Sequence, residues 1–404
     1  MHVLINGSFW TQPTVGSGQY VHGLVRWLPR IAPHHRYTLL IPAASLQGRD
    51  ALPSPDISQL VLRTPFDRYS TNLAKLWFEQ LSVPETARLA HRNNRDQTSV
   101  LIHVPYFAPP LQSVVPLVTT IPDVIPLVLP EYRGNSRVRL YMSLVRHTAR
   151  EVDHVITFSH YSCNDIVTMI GISHQRVSAT LLAADERYLP PADRGAALAS
   201  VAARYNLHEP FLYYVGGLDV RKNLAVLLRA VALLHQRGRF PAVLAIAGRA
   251  LGGDQRLFPD IDGLIAHLDL GAVVRRIEVP HSDGPLLYQT CTAFAFPSRY
   301  EGFGLPPLEA MACGAPVVAS TASSLPEVVG DAALLVDPDD PGAWAAALER
   351  MLFEPTLRTD LRTRGLAHAA TFSWERVARE TVQIYEQVNA ARISAGAPGG
   401  WRKS

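Results

Sequence analysis

The chain is poor in cysteine, poorer in lysine for its size, and has no long apolar run. Its 404 residues hold three cysteines, Cys163, Cys291 and Cys313, which lie far apart with no Cys-x-x-Cys pair. That spacing excludes a disulfide framework, gives no sign of a thiolate metal site, and fits a reducing cytoplasm. No stretch of 18 apolar residues occurs, so no transmembrane helix is expected. Met1 to Gly7 reads as a short buried strand, without the basic region and longer apolar core of a signal peptide. An excess of one charge is missing as well: 38 Lys and Arg against 35 Asp and Glu leave +3, which demands no nucleic acid. Only Lys75, Lys222 and Lys403 are lysines. A lysine placed in a motif therefore stands out.

What is present is 48% apolar residues, enough for the cores of two or three domains. Short apolar runs alternate with longer helical patterns, the mark of βαβ units on a parallel sheet. The first half reads as strands at Val3 to Ile5, Tyr37 to Ile41, Leu60 to Arg63, Val100 to His103, Val115 to Thr119 and Val155 to Phe158. Helices are expected at Val21 to Leu28, Leu73 to Leu81 and Arg137 to Arg150. The pattern degrades between Asp185 and Pro210, which places a domain boundary there. A second series follows, with strands at Phe211 to Val215, Val243 to Ala247, Ile277 to Val279, Ala293 to Pro297, Val317 to Ser320 and Ala333 to Val336. Between them the helices read Leu224 to Gln236, Ile261 to Leu268, Leu286 to Thr292 and Pro306 to Cys313. The expectation is α/β, with domains at 1–190 and 208–373 and a disordered Gly/Ala/Pro-rich tail at 393–404.

Three motifs follow strands, where open α/β sheets bind ligands. The longest runs Pro297-Ser298-Arg299-Tyr300-Glu301-Gly302-Phe303-Gly304-Leu305-Pro306-Pro307-Leu308-Glu309. Prolines suit the first turn of a helix, and the amides around Gly302, Phe303 and Gly304 with that helix's dipole suit a phosphate. Glu301 and Glu309 would be poor phosphate ligands, so they are expected to face sugar or ribose hydroxyls. The second motif, Gly216-Gly217-Leu218-Asp219-Val220-Arg221-Lys222-Asn223, offers a forked and a point cation to a diphosphate, with Asn223 as a helix cap. The third, Gly16-Ser17-Gly18-Gln19-Tyr20, starts like a dinucleotide fingerprint but has Val21 at the third glycine position. It reads as a phosphate or acceptor loop, or as a linker turn.

In this order the three motifs resemble the retaining nucleotide-sugar glycosyltransferases of family 4, most closely bacterial mannosyltransferase-like members of surface polysaccharide synthesis. The resemblance runs from Met1 to about Asn389. It implies the GT-B fold, two facing Rossmann-like domains with parallel sheets and an interdomain cleft, the last helix (374–392) returning to the first domain. It also implies that Glu301 holds donor-sugar hydroxyls and that the amides from Gly302 to Leu305 hold the diphosphate and sugar. Gly217 would lie in the donor site, Glu309 would bind the ribose, and Arg221 with Lys222 would neutralise the leaving diphosphate. The base would sit near Arg249 and Val279-Pro280. No metal or cofactor is implied, and Asp260-Ile261-Asp262 and Asp337-Pro338-Asp339 read as loops.

One departure stands out. Where many relatives have His-Asp, the chain has Pro122-Asp123, which leaves Asp123 as a candidate acceptor-side carboxylate. His103 resembles a family position lining the cleft, or is a structural histidine. Arg137, Arg139, Arg146 and Arg150, interleaved with Val138, Leu140, Tyr141, Leu144 and Val145, read as a solvated helix face or a contact with anionic lipid. The resulting expectation is a cytoplasmic enzyme, peripheral at most on the inner membrane face. It would pass a hexose from GDP-mannose or a UDP-hexose to a glycan or lipid-linked glycan. Pro122 motivates the alternative of a pseudoenzyme that binds nucleotide sugar without turnover, while Val21 disfavours an NAD oxidoreductase.

Overall fold

The computed structural model describes residues 1–46, 57–93, 98–107, 109–134, 136–250 and 252–394. The chain divides into two compact units, one made of Met1–Leu182 and the segment from Trp374 onward, the other of Ala183–Ser373. No described helix is long and apolar enough to cross a membrane.

The first unit holds seven strands: β1 (His2–Asn6), β2 (Arg36–Pro42), β3 (Ser58–Leu62), β4 (Val100–Val104), β5 (Leu117–Thr120), β6 (His154–Thr157) and β7 (Val177–Ala179). They form one parallel sheet in the order β3-β2-β1-β4-β5-β6-β7. Val3, Leu4, Ile5, Leu101, Ile102 and Val118 are almost wholly buried, as strands covered on both faces require. β7 adds a three-residue strand to those legible in the sequence, too short to carry a pattern of its own.

The helix expected from Val21 begins at Gly16 and runs to Ile31. A side chain at Gly18 would put its Cβ 1.8 Å from the carbonyl oxygen of Gln12, so the incoming loop can cross the first turn only over a glycine. The helix expected over 73–81 is instead Thr71–Trp77, a π turn at Phe78–Ser82, and a further helix Val83–Arg92. Pro84 has no N–H and its ring would crowd the carbonyl four residues back, so the wider turn just before it relieves that conflict. The helix Trp374–Ser394 packs on Gly16–Ile31, with the Trp374 ring lying where a side chain at residue 23 would be. Of the tail expected to be disordered from 393, Ile393 and Ser394 close this helix, and the rest lies outside the described residues.

The second unit has six parallel strands, β8 (Phe211–Val215), β9 (Val243–Ala247), β10 (Val274–Ile277), β11 (Ala293–Phe296), β12 (Val317–Ser320) and β13 (Ala333–Val336). Their order is β10-β9-β8-β11-β12-β13. β10 falls upstream of the expected 277–279: it is a half-exposed edge strand, and Arg275-Arg276 at its centre hide it from an apolar pattern. This unit also begins upstream of residue 208. Helix Arg194–Tyr205 packs against helix Gly284–Thr290 and is started by Asp193, whose Oδ1 accepts from the amides of Gly195 and Ala196 at 2.8 and 3.1 Å.

Helices Pro341–Phe353 and Pro355–Ala369 complete the unit. The first packs on helix Leu224–Gln236, whose sequence is nearly all apolar because it lies between that neighbour and the sheet. Trp344 is fully buried between them and donates Nε1–H to the Asp337 carbonyl at 2.9 Å. In each sheet the strand order reverses at the first strand, between β1 and β4 and between β8 and β11. The carboxyl ends of those strands are where such a fold binds ligands.

Candidate active site

β8 ends in Gly216-Gly217, and β11 ends in the Pro297 loop, so the two motifs of the second unit meet where the strand order reverses. The Gly217 carbonyl accepts from the Tyr214 hydroxyl at 2.7 Å. Val220–Lys222 form a 3-10 turn that carries Arg221 and Lys222 towards the β11 loop. The backbone ties the two motifs together as well, the Arg299 amide donating to the Arg221 carbonyl at 2.8 Å.

Glu301 is the centre of the cluster. Lys222 Nζ donates to its Oε1 at 2.7 Å, Arg221 Nη1 stands 2.9 Å from its Oε2, and the Ser298 hydroxyl donates to Oε1 at 2.5 Å. The residue is 8% exposed. Burial opposes ionisation of this carboxyl, but Lys222 and Arg221, then the hydrogen bonds from Lys222 and Ser298, prevail and hold its pKa below the ordinary value. Burial pushes the pKa of Lys222 down, aided by Arg221, while Glu301 and Asp219 oppose the shift. Arg221 also lies 3.4 Å from Asp219 and donates to the Tyr300 carbonyl at 2.9 Å. The two cations thus face two carboxylates. Lys222 further sits 4.9 Å over the Phe296 ring.

Gly304 takes φ +118° as it leads into helix Leu305–Ala312, a backbone conformation that favours glycine. Because Pro306 and Pro307 have no N–H, the amides at this helix's start come from Gly302, Phe303, Gly304 and Leu305. Phe303 turns its side chain into the core, edge-on to Phe372 at 6.1 Å. Four serines with no role assigned from the sequence hold this loop. Ser323 Oγ accepts from the Glu301 amide at 2.8 Å, Ser324 Oγ donates to the Glu301 and Phe303 carbonyls at 2.9 and 2.5 Å, and Ser320 and Ser298 brace its base. A signal for them existed. Ser323-Ser324-Leu325-Pro326-Glu327 follows β12 just as the Pro297 loop follows β11, polar residues and then a proline entering a helix.

Glu309 is buried on the second turn of its helix, and burial raises its pKa to about 7 against opposing hydrogen bonds from Tyr288 and Tyr188. Tyr288 donates to its Oε2 at 3.3 Å. Neither tyrosine was singled out by the sequence. Arg249 follows β9 and makes an exposed ion pair with Glu278 at 2.8 Å, beside Val279-Pro280, rather than joining the Glu301 cluster. Asn223 does not cap the following helix. It adopts φ +55° and donates Nδ2–H to the Pro338 carbonyl at 2.5 Å.

In the first unit, Asp123 follows β5, is half-buried, and accepts from the Ile125 amide at 3.1 Å. His103 is fully buried on β4 and lines no open site. Its Nε2 pairs with Thr120 Oγ1 at 2.8 Å and its Nδ1 with the Tyr385 hydroxyl at 2.6 Å, while burial lowers its pKa to about 3. It is a neutral core histidine. Gly16 has open space where a side chain would be, and Gly18 serves the crossing described above. At the strand-order reversal of this unit lies a buried network that the sequence did not reveal. Asn6 donates to the Tyr106 hydroxyl at 2.9 Å, which donates to Glu79 on the π turn at 2.6 Å.

Comparison with known proteins gives this arrangement its class. Residues 201–368 match the family described as glycosyl transferases group 1. The chain is 34% identical over 313 residues to the O-antigen chain mannosyltransferase B of Escherichia coli, covering 75% of this chain and 79% of that protein. It is 30% identical over 272 residues to the serotype-specific mannosyltransferase WbdA of Escherichia coli, a match spanning 33% of that longer protein. Among solved structures, sucrose-phosphate synthase from Thermosynechococcus elongatus has a TM-score of 0.70 at 22% identity, over 97% of this chain and 100% of that one. HepE of Anabaena, solved in complex with UDP-glucose, has a TM-score of 0.69 at 18% identity, over 96% and 100%. These two likenesses concern the fold, GT-B, two Rossmann-like domains with parallel sheets. The chain belongs to the glycosyl transferases group 1 family. It is a glycosyltransferase, acting on a hexose carried by a nucleotide.

Proposed function

We propose that this enzyme transfers mannose from GDP-mannose, with retention of anomeric configuration, to a hydroxyl of a glycan or lipid-linked glycan. The relatives named as mannosyltransferases support the sugar. The observation that carries the reaction is the buried carboxylate of Glu301, paired with Lys222 and Arg221 next to a helix start. A carboxylate kept ionised accepts hydrogen bonds from sugar hydroxyls. As the donor binds, its hydroxyls take over Glu301, and the diphosphate takes over the cations that Glu301 releases.

In this reading the bond between the anomeric carbon and the phosphate oxygen breaks, and the electron pair leaves with the diphosphate. Arg221, Lys222 and the amides from Gly302 to Leu305 stabilise that charge as it develops. The acceptor hydroxyl attacks the same face, and its proton passes to the departing phosphate oxygen, so no protein nucleophile or metal is required. Glu309 holds the ribose, Gly217 lets the donor approach, Arg249 borders the base, and Asp123 orients the acceptor. The enzyme works in the cytoplasm, consistent with three buried cysteines that form no disulfide, and the basic helix Ser136–Glu151 provides a peripheral contact with the inner membrane face.

The test is a calorimetric screen of GDP-mannose, UDP-glucose and other UDP-hexoses, with release of the nucleoside diphosphate followed in the same samples. Tight binding of GDP-mannose and release of GDP on adding an acceptor glycan is the expected result. Preference for a UDP-hexose would overturn the donor, and an inverted product anomer would overturn retention.

A further inference from the structure

Beside the amino end of β2, away from the carboxyl strand ends where such a fold binds its ligands, three metal-ligating side chains of the first unit converge. His34 and His35 lie in the turn between helix Gly16–Ile31 and β2, and Glu386 lies on helix Trp374–Ser394. His35 Nε2 stands 3.2 Å, and His34 Nε2 3.8 Å, from the same oxygen, Oε1 of Glu386. All three donor atoms lie within 4.8 Å of one another.

The local structure sets each donor. Adjacent residues of a strand point to opposite faces, but the His35 amide closes a turn on the Ala32 carbonyl at 3.1 Å, and in a turn both imidazoles can face one way. Their ring centroids are 4.1 Å apart and the planes are inclined at 59°, so the rings are not stacked on each other. The His35 side chain is 8% exposed, and among the described residues its Nδ1 is buried without a hydrogen-bond partner. Nε2 is then the ring nitrogen left to interact. On the helix, Glu386 follows Tyr385, whose fully buried side chain is bonded to His103, so the backbone that carries the carboxylate is held in place.

A tetrahedral zinc ion with bonds of about 2.0–2.1 Å keeps its ligands about 3.3 Å apart, which falls between the two distances to Oε1. A hydrogen bond accounts for the shorter of these only, since 3.8 Å is too long for one. Two imidazole nitrogens and a carboxylate suit zinc and its neighbours in the transition series, whereas calcium and magnesium take oxygen ligands.

We infer that His34, His35 and Glu386 bind one divalent transition-metal ion such as zinc, with water completing the coordination, and that the ion fastens helix Trp374–Ser394 to the turn before β2. The His34 and Glu386 side chains are exposed, so the ion enters from solvent. The role is structural, and it is independent of which sugar the enzyme transfers.

The experiment is calorimetry of the full chain, free of any histidine tag and stripped of metal with a chelator, titrated with zinc and, as controls, with magnesium and calcium. One-to-one binding of zinc is expected, with neither control binding as tightly, and zinc should raise the melting temperature. His34→Ala and Glu386→Gln change exposed side chains, so the metal-free variants should melt close to the wild type. Each should weaken zinc binding at least tenfold and abolish the rise in melting temperature that zinc causes. Undiminished zinc binding in either variant would place the ion elsewhere and overturn the site. Magnesium or calcium binding as tightly as zinc would overturn the assignment to nitrogen ligands, and zinc binding without a rise in melting temperature would overturn the fastening of the helix. Absence of one-to-one zinc binding would overturn the inference outright.

Discussion

Lys222 and Glu301 lie 79 residues apart in the chain, yet the ammonium of one stands 2.7 Å from a carboxylate oxygen of the other. Each follows the end of a different strand, Glu301 buried and the Lys222 side chain 12% exposed. The pair keeps each charge compensated, and in the proposed mechanism it also presents both charges to the donor. Removing Glu301 leaves Lys222 and Arg221 facing Asp219 alone, whereas removing Lys222 leaves Glu301 with Arg221 and Ser298.

That dual role separates stability from turnover. Glu301→Ala should cost about 3–5 kcal/mol of stability, because it leaves two cations facing Asp219 alone, and Lys222→Ala should cost less, because Glu301 keeps Arg221. Lys222→Met/Glu301→Leu should cost clearly less than the two single losses combined, while transfer is abolished in all three. Urea denaturation with a transfer assay checks this. Additive stability losses in the double variant would show that the two residues are not coupled.

With Glu309 in its proposed place at the ribose, donor binding should depend on pH near neutrality. Its pKa is raised to about 7 by burial, so below that value the carboxyl is mostly protonated and has less accepting capacity for ribose hydroxyls. Donor affinity should rise as pH increases from 6 to 8, with a proton released on binding. Calorimetry in buffers of different ionisation enthalpy measures the release, and Glu309→Gln should abolish both the release and this pH dependence. A wild-type affinity that is flat over this range would remove Glu309 from the ribose site.

His103 governs acid stability rather than transfer. Its pKa falls from 6.5 in the unfolded chain to about 3 in the folded one, so the unfolded state binds the extra proton between those values. The stability it contributes is complete above about pH 6.5 and is lost as pH falls towards 3, with a slope near 1.4 kcal/mol per pH unit. Denaturation of His103→Asn should show a slope shallower by about one proton over that window, and the folded fraction of the variant should transfer sugar at the wild-type rate. A large loss of turnover in folded protein would give His103 a part in the chemistry.

Elements whose signal is local are legible in the sequence. The buried strands β1, β8, β9 and β12 are short runs of β-branched, aliphatic or aromatic residues, and the sequence places them to within about a residue or two. Gly304-Leu305-Pro306-Pro307 announces a helix start, and Glu301 and Glu309 announce carboxylates on either side of it. Edge strand β10 escaped because half-exposed backbone does not require apolar side chains, and the π turn at Phe78–Ser82 escaped because its cause, Pro84, acts on a carbonyl four residues away.

By itself the sequence determined the order of strands and helices, the glycine-rich and proline-rich punctuation at the strand ends, and the residue types gathered there, since each depends on a few neighbours along the chain. Only the tertiary structure decided which polar groups are already satisfied. It turned His103 into a core bridge to Tyr385, 282 residues later, and drew Ser323 and Ser324 under the Glu301 loop. Burial and hydrogen bonding depend on what the rest of the fold brings within about 3 Å, and that is a property of packing rather than of spacing.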